Sequence, residues 1–130
     1  MRPQMKAILV TLALSFLVTT GLQAQISIFP STSVPATPSN NDGQPLEIGM
    51  KFQSSQAGYI TGVRFYKATT NTGTHIGHLW SSTGTKLAEV TFANETASGW
   101  QQMLFTTPVA ITANTTYVIS YFSSAGYYAI

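Results

Sequence analysis

The sequence predicts an all-β fold, a single antiparallel β-sandwich of jelly-roll or immunoglobulin-like type. Six segments after residue 45 show period-2 alternation or the β-branched and aromatic composition of strands. Turn signals separate these segments every ~8–12 residues, as in sandwiches. No segment after residue 24 has a 3.6-residue period. Together these observations favour two packed sheets over any helical architecture.

The predicted strands cover residues 46–52, 59–68, 75–82, 86–94, 100–111 and 116–124. Pro108 is expected to end or bend the fifth strand, because proline has no N–H to give to a ladder. The apolar row of each alternating strand predicts a common core. Its expected members are Val63, Phe65, Val90, Phe92, Phe105 and Val118. We also expect Trp100, at a strand start, to be a core residue.

The N-terminus is typical of a cleavable secretory signal peptide, residues 1–24. Arg2 and Lys6 precede an uncharged apolar run of about 15 residues, which is shorter than the ~20 needed to span a bilayer. A small residue, Ala24, precedes the expected cut, so the mature chain would begin at Gln25. This organisation predicts a secreted or cell-surface protein with no membrane span after cleavage.

Residues 25–45 are predicted to form an extended leader and loop, because 30–45 contain four prolines and no helical period. Any strand here should be an edge strand. The β-sandwich module is then predicted over 46–130. Roughly 106 residues remain after cleavage, enough for one core. There is no cysteine, so the core must hold the domain together without disulfides.

The charge of the mature chain is balanced. The mature chain contains four basic and four acidic residues, so its formal net charge is zero. The basic residues are Lys51, Arg64, Lys67 and Lys86, and the acidic residues are Asp42, Glu47, Glu89 and Glu95. A neutral domain with scattered charges has no electrostatic footprint for nucleic acid or for anionic lipid. Neither is therefore expected as a partner.

The chemical inventory argues against an enzyme. The sequence has no G-x-S-x-G elbow, no HExxH motif and no marked carboxylate pair. His75 and His78 are three apart in one strand and should point to opposite sides of the sheet. One strand therefore cannot present both to one zinc ion, and we expect them to be exposed or to brace loops.

Two groups of residues are candidate binding sites. Tyr66, His78 and Trp80 are candidate ligand-binding residues, because an aromatic face matches the C–H face of a sugar ring while polar groups fix its hydroxyls. Asp42 and Glu47 flank an Asn-Asn-Asp-Gly turn and are candidate calcium ligands, since clustered carboxylate, amide and backbone oxygens suit Ca²⁺. The same turn is equally an ordinary β-turn.

A family resemblance covers almost all of the mature chain. The resemblance rests on three segments, VPATPSNNDGQPLEIGMKF, ITGVRFYKATTNTGTHIGHLWSSTGTKLAEVTFANETASGW and PVAITANTTYVISYFSSAGYYA. In these the chain resembles the bacterial secreted modules catalogued as domain of unknown function 4082. The resemblance implies a β-sandwich that repeats in large surface proteins and has no established activity.

The resemblance also implies an incomplete C-terminus. Family members continue past the position of Ala129 into a further aromatic-rich strand, so the module is expected to lack its C-terminal strand. An exposed edge or core face would then lie near 117–122.

These features together predict a non-catalytic extracellular binding module, with extracellular polysaccharide or neighbouring domains of a surface protein as partners. A structural spacer or adhesion unit of a bacterial surface protein, without a small-molecule ligand, is the alternative.

Overall fold

A computed structural model of the protein describes residues 25–130, and the expected signal peptide lies outside the described residues. The described chain is all-β and contains no helix long and apolar enough to cross a membrane. Its strands are β1 (Asn40–Asn41), β2 (Leu46–Phe52), β3 (Gly58–Lys67), β4 (His75–Ser81), β5 (Lys86–Thr91), β6 (Gly99–Ile111), β7 (Tyr117–Ser123) and β8 (Tyr127–Tyr128). All six predicted strands are confirmed, while β1 and β8 were not predicted.

The strands form a β-sandwich. One sheet has four strands in the order β2-β7-β4-β5, and the second pairs β3 with β6. Every pairing is antiparallel. The inner face of β3–β6 packs against β4, β5 and β7. The predicted sandwich class is therefore confirmed.

The core lies between the two sheets. Its buried apolar members are Val63, Phe65, Leu79, Phe92, Phe105, Ile111 and Tyr117. Four of the six predicted core residues are confirmed here, and Val90 packs against them half-buried. The prediction for Val118 is wrong. Leu79 of β4 pairs with Ile119 of β7, so Ile119 joins the inner row and Val118 points outward.

The two sheets approach each other closely at Gly77. A Cβ at this position would lie 2.8 Å from the Val63 Cβ and 3.1 Å from the Phe92 ring. Contacts this short are not tolerated in a packed core. Glycine at 77 therefore lets β4 lie against β3.

A large irregularity in β6 surrounds Pro108. Ile60 of β3 pairs with Val109, but Gly62 pairs with Leu104. Between these two pairs, β6 therefore has four unpaired residues, 105–108, whereas β3 has one, Thr61. Pro108 thus sits where β6 has no regular partner on β3, as its missing N–H requires. β6 does not end at Pro108 but continues to Ile111, with a change of register against β3 at this point.

The leader is part of the folded structure. Asn40 and Asn41 pair with Tyr128 and Tyr127, which forms the β1–β8 ribbon. Thr37 and Ile130 extend the ribbon, because each donates its backbone N–H to the other's carbonyl, at 2.8 and 3.0 Å. As predicted for this proline-rich segment, β1 is an edge strand: among the described strands it pairs with β8 alone.

Residues 25–33, which we call the strap, lie on the outer face of β3–β6. The strap contacts Trp100, whose Nε1 donates to the Ser33 carbonyl at 2.8 Å. Our expectation that Trp100 belongs to the core is wrong. Trp100 pairs with Tyr66 on the outer side of the sheet, one position before the inward Gln101. It is half-buried because the strap covers it.

Candidate functional site

The outer face of the four-stranded sheet carries the candidate site. The alternation in β4 sends Leu79 inward and His78 and Trp80 outward. On this outer side, Trp80 pairs with Val118 of β7, and His78 pairs with Ser120. We call Glu47, His78, Trp80 and Ser120 the open-face cluster.

The cluster is a continuous chain of hydrogen bonds. Trp80 Nε1 donates to the Ser120 hydroxyl at 2.8 Å, and Ser120 donates to Glu47 Oε1 at 2.5 Å. His78 Nδ1 lies 2.8 Å from the same oxygen. Because a carboxylate only accepts, His78 Nδ1 carries a proton here. The Glu47 Oε2 atom has no hydrogen-bond partner among the described residues.

Gly49 makes room for this chain. It pairs with Ser120, and a Cβ at Gly49 would lie 2.5 Å from the Ser120 Cβ and 2.3 Å from the Ile119 carbonyl oxygen. Glu47 stands two residues earlier on the same face of β2. Its carboxylate reaches Ser120 across the space that Gly49 leaves empty.

An open depression of about 340 Å³ lies beside the cluster. Its lining is mixed, with one aromatic ring, one carboxylate, several hydroxyls and two glycines. The lining residues are Glu47, Gly49, Trp80, Ser81, Ser82, Gly84, Val118 and Ser120. The β4–β5 turn, which contains Ser82 and Gly84, forms one wall. Trp80 and Glu47 therefore both border the depression.

An ion pair between two β5 residues, Lys86 and Glu89, lies next to the open-face cluster. Lys86 Nζ donates to Glu89 Oε2, and this hydrogen bond holds the pKa of the Glu89 carboxyl below its ordinary value. His78 Nε2 lies 3.8 Å from Glu89 Oε2, too far for a hydrogen bond. Glu89 is thus engaged with Lys86 through its Oε2 atom.

His75 lies on the opposite side of β4, as its spacing from His78 predicted. Its side chain is fully buried. His75 Nδ1 lies 2.8 Å from Glu95 Oε1, and Nε2 lies 2.9 Å from Asn71 Oδ1. Lys67 donates to the same Glu95 at 2.7 Å. His75 therefore ties the loops 68–74 and 92–98 to the core, the loop-bracing role expected for it.

Tyr121 lies next to the buried polar group formed by His75, Asn71 and Glu95. Its hydroxyl lies beside the Asn71 amide, but neither the hydroxyl nor Asn71 Nδ2 forms a regular hydrogen bond with any residue in 25–130. Burial raises the pKa of Tyr121 to about 12. Sequence reasoning missed this region, because Asn71 and Glu95 belong to turns and nothing in the sequence pairs them.

The structure brings His78 and Trp80 together and separates both from Tyr66. The His78 and Trp80 ring centroids are 5.2 Å apart. Tyr66 lies on β3, in the other sheet, where its ring meets Trp100 edge-on at 5.7 Å. The three candidate ligand-binding residues therefore do not form one site.

The candidate calcium ligands are also separate. Asp42 Oδ1 accepts a hydrogen bond from the Tyr128 hydroxyl at 3.1 Å, whereas Glu47 belongs to the open-face cluster. Their carboxylates have no hydrogen-bond partner in common. Within residues 25–130, no group of three or more His, Cys, Asp or Glu side chains is placed to hold a metal ion. Asp42 and Glu47 therefore do not form a calcium site together in this part of the chain.

Sequence reasoning missed Ser120 and Gly49. Ser120 is a polar residue inside the apolar run YVISYF, and Gly49 interrupts an otherwise regular strand. A buried polar side chain needs a partner, and a strand glycine often marks a close approach. The sequence therefore indicated that Ser120 needs a hydrogen-bond partner and that another group approaches Gly49 closely, but it did not identify either neighbouring residue.

The fold and the cluster define a class: an all-β sandwich module whose open sheet face carries a tryptophan linked through a serine hydroxyl to a carboxylate. A family model described as Domain of unknown function (DUF4082) matches residues 32–130. The chain therefore belongs to that family. No curated protein and no solved structure matches the chain.

Proposed function

We propose that the protein is a non-catalytic extracellular binding module whose open-face cluster binds carbohydrate. The observation that carries the proposal is that Trp80 and Glu47, joined through Ser120, line one depression open to solvent, while Glu47 Oε2 has no hydrogen-bond partner among the described residues. An aromatic ring and a nearby acceptor are the two elements that recognition of a sugar ring requires.

The aromatic element is held in place before any ligand arrives. The Trp80 N–H is used by Ser120, and its ring contacts His78. A tryptophan fixed in this way loses little side-chain entropy on binding. Its ring face can pack against the C–H groups of a pyranose, since tryptophan combines a large apolar face with a polar edge.

The polar element is equally fixed. Ser120 and His78 both hold Glu47 Oε1, which orients the carboxylate and leaves Oε2 to accept a ligand hydroxyl. A hydrogen bond to a charged acceptor is stronger than one between neutral groups. The depression is at the small end of the ~300–1,000 Å³ range of ligand sites and is open, which suits one unit of a longer glycan.

The order of groups in the cluster supports a non-catalytic role. In a hydrolase triad the histidine stands between serine and carboxylate, so that it removes the serine proton. Here the Glu47 carboxylate stands between Ser120 and His78, and the Ser120 hydroxyl donates directly to it. His78 has no contact with Ser120 that would activate it as a nucleophile.

A glycan array probed with the secreted chain tests the proposal. We expect binding to a subset of polysaccharides, with at least a tenfold loss for Trp80→Ala and for Glu47→Gln. Tyr59→Ala is the matched control, because Tyr59 is an exposed aromatic residue on the other sheet. Absence of glycan binding at millimolar concentration, or an equal loss in the control, would contradict the proposal and favour the spacer or adhesion alternative.

The extracellular part of the proposal rests on the N-terminal sequence pattern. N-terminal sequencing of protein recovered from the culture medium or cell surface should give Gln25 as the first residue. Recovery from the cytoplasm with Met1 in place would contradict export.

A further inference from the structure

A second aromatic cluster lies on the outer face of β3–β6, and the strap covers it. We call Arg64, Tyr66 and Trp100 the covered-face cluster. The Arg64 guanidinium carbon lies 4.8 Å from the centroid of the Trp100 ring, and Tyr66 meets Trp100 edge-on. The three side chains therefore hold one another in place and form a preformed surface.

The strap meets this surface with every second residue. Gln25 Nε2 donates to the Thr61 hydroxyl at 3.1 Å, and Arg64 donates to the Ser27 hydroxyl at 2.8 Å. Phe29 stacks on Trp100 with ring centroids 6.1 Å apart. The residues between them face solvent, with Ile26 91% and Ile28 54% exposed. The strap bends at Ile28 and Phe29 and then turns, because the Ser33 N–H donates to the Pro30 carbonyl at 3.1 Å. Its side-chain contacts with the sheet come from Gln25, Ser27 and Phe29.

The cluster also contacts the strap's backbone. Trp100 Nε1 donates to the Ser33 carbonyl at 2.8 Å, and Arg64 donates to the Phe29 carbonyl at 3.5 Å. Pro30 follows Phe29 directly and restricts the backbone there. Aromatic-lined surfaces that take proline-containing segments are a recurring mode of peptide recognition.

The strap and its binding surface differ in their relation to the family. The family match begins at residue 32, so 25–31 lie outside it, whereas Arg64, Tyr66 and Trp100 lie inside. The surface is therefore part of the family module, and most of the segment bound to it is not.

We propose that the covered-face cluster is a binding site for a proline-containing peptide segment that turns at its proline, as the strap does. The strap occupies it within the same chain, and the strap of a second copy occupies it when a chain's own strap is released. A short tether, 34–36, which contains Pro35, joins the strap to the ribbon at Thr37. Such a tether gives the strap an effective concentration in the millimolar range, so intact chains stay closed at micromolar concentration.

A labelled peptide of residues 25–34 tests the site by fluorescence anisotropy against the secreted chain. Phe29→Ala weakens the strap and leaves the cluster intact, so it should bind the peptide at least tenfold more tightly than the unsubstituted chain. Ile26→Ala is the matched control, because Ile26 is a strap residue that faces solvent, and it should behave like the unsubstituted chain. Adding Arg64→Gln to Phe29→Ala should abolish the gain.

Exchange between copies is tested by mixing two variants. The Arg64→Gln chain has an intact strap and a weakened site, and the Phe29→Ala chain has the reverse. Size-exclusion chromatography with light scattering should show a heterodimer in the mixture and monomers for each variant alone. No peptide binding by the Phe29→Ala chain, equal binding by the Ile26→Ala chain, or a mixture that stays monomeric would overturn the proposal.

Discussion

The two outer faces of the sandwich each carry one tryptophan, and the two differ in what lies over them. The Trp80 N–H bonds to Ser120 of a neighbouring strand, and its ring borders an open depression. The Trp100 N–H bonds to the strap backbone, and Phe29 lies on its ring. Strand alternation places a residue on a face, but a segment from elsewhere in the sequence decides whether that face is open.

The largest effect should come from the core that both faces share. Phe65 is 3% exposed and packs against Phe92 and Tyr121, with ring centroids 4.8 and 4.3 Å apart. Phe65→Ala should lower the free energy of unfolding by about 3–5 kcal/mol, measured by denaturant titration. Leu104→Ala, at a 54% exposed position on the same sheet, should cost less than about 1 kcal/mol. A comparable cost for both would contradict the assigned faces.

The second effect separates the two tryptophans. Trp100→Ala removes contacts with Phe29, Tyr66 and Arg64 and should cost about 2–3 kcal/mol, a reduced value for a half-buried ring. Trp80→Ala loses its contact with His78 and one hydrogen bond and should cost about 1 kcal/mol. Thermal melts of the two variants compare them directly. Equal destabilisation would contradict the larger contribution assigned to the contacts of Trp100 with Phe29, Tyr66 and Arg64.

A smaller effect tests the hydrogen-bond chain of the open face. Ser120→Ala removes the partner of Trp80 Nε1 and one of two donors to Glu47, and should cost about 1 kcal/mol. Ser82→Ala, at an exposed turn position, serves as the control. Chemical denaturation provides the measurement. If the two variants are equally stable, the chain does not contribute to the stability of this face.

The smallest effect at neutral pH concerns Tyr121. Its hydroxyl is buried without a regular partner, so Tyr121→Phe should leave stability at pH 7 unchanged or raise it by up to about 1 kcal/mol. Burial raises the pKa from its ordinary value of 10.0 to about 12, because it disfavours the phenolate. The stability linked to the neutral phenol is present below pH 10 and is lost as the pH rises towards 12.

Denaturant titrations at pH 7 and at several values between 10 and 12 provide this measurement. The unsubstituted chain should lose more stability over the alkaline interval than the Tyr121→Phe chain. Parallel pH profiles for the two chains would contradict the assigned burial.

The strands were predictable where one face is apolar and the other polar. In β2 and β3 the alternation identified the inner face, and it placed Val63 and Phe65 correctly. In β7 both faces are apolar, so the alternation could not choose between Val118 and Ile119. The choice is made by pairing with β4, which is a long-range property.

The candidate site was predictable only in part, for the same reason. His78 and Trp80 share a face of one strand, which a period of two establishes. Tyr66 was grouped with them by residue type, and nothing local could show that β3 belongs to the other sheet. Glu47 was noticed for its carboxylate, but its partners, His78 and Ser120, are 31 and 73 residues away in sequence.

The β1–β8 ribbon determines how the molecule responds to mechanical load. Thr37 and Ile130 face each other in this antiparallel pair, joined by two backbone hydrogen bonds. Tension applied between these two residues acts along the hydrogen bonds, which run perpendicular to the strands, so the bonds break one after another rather than together. The ribbon should therefore open at low force while the two sheets stay packed. Loaded in this direction, the module is a compliant attachment rather than a rigid strut.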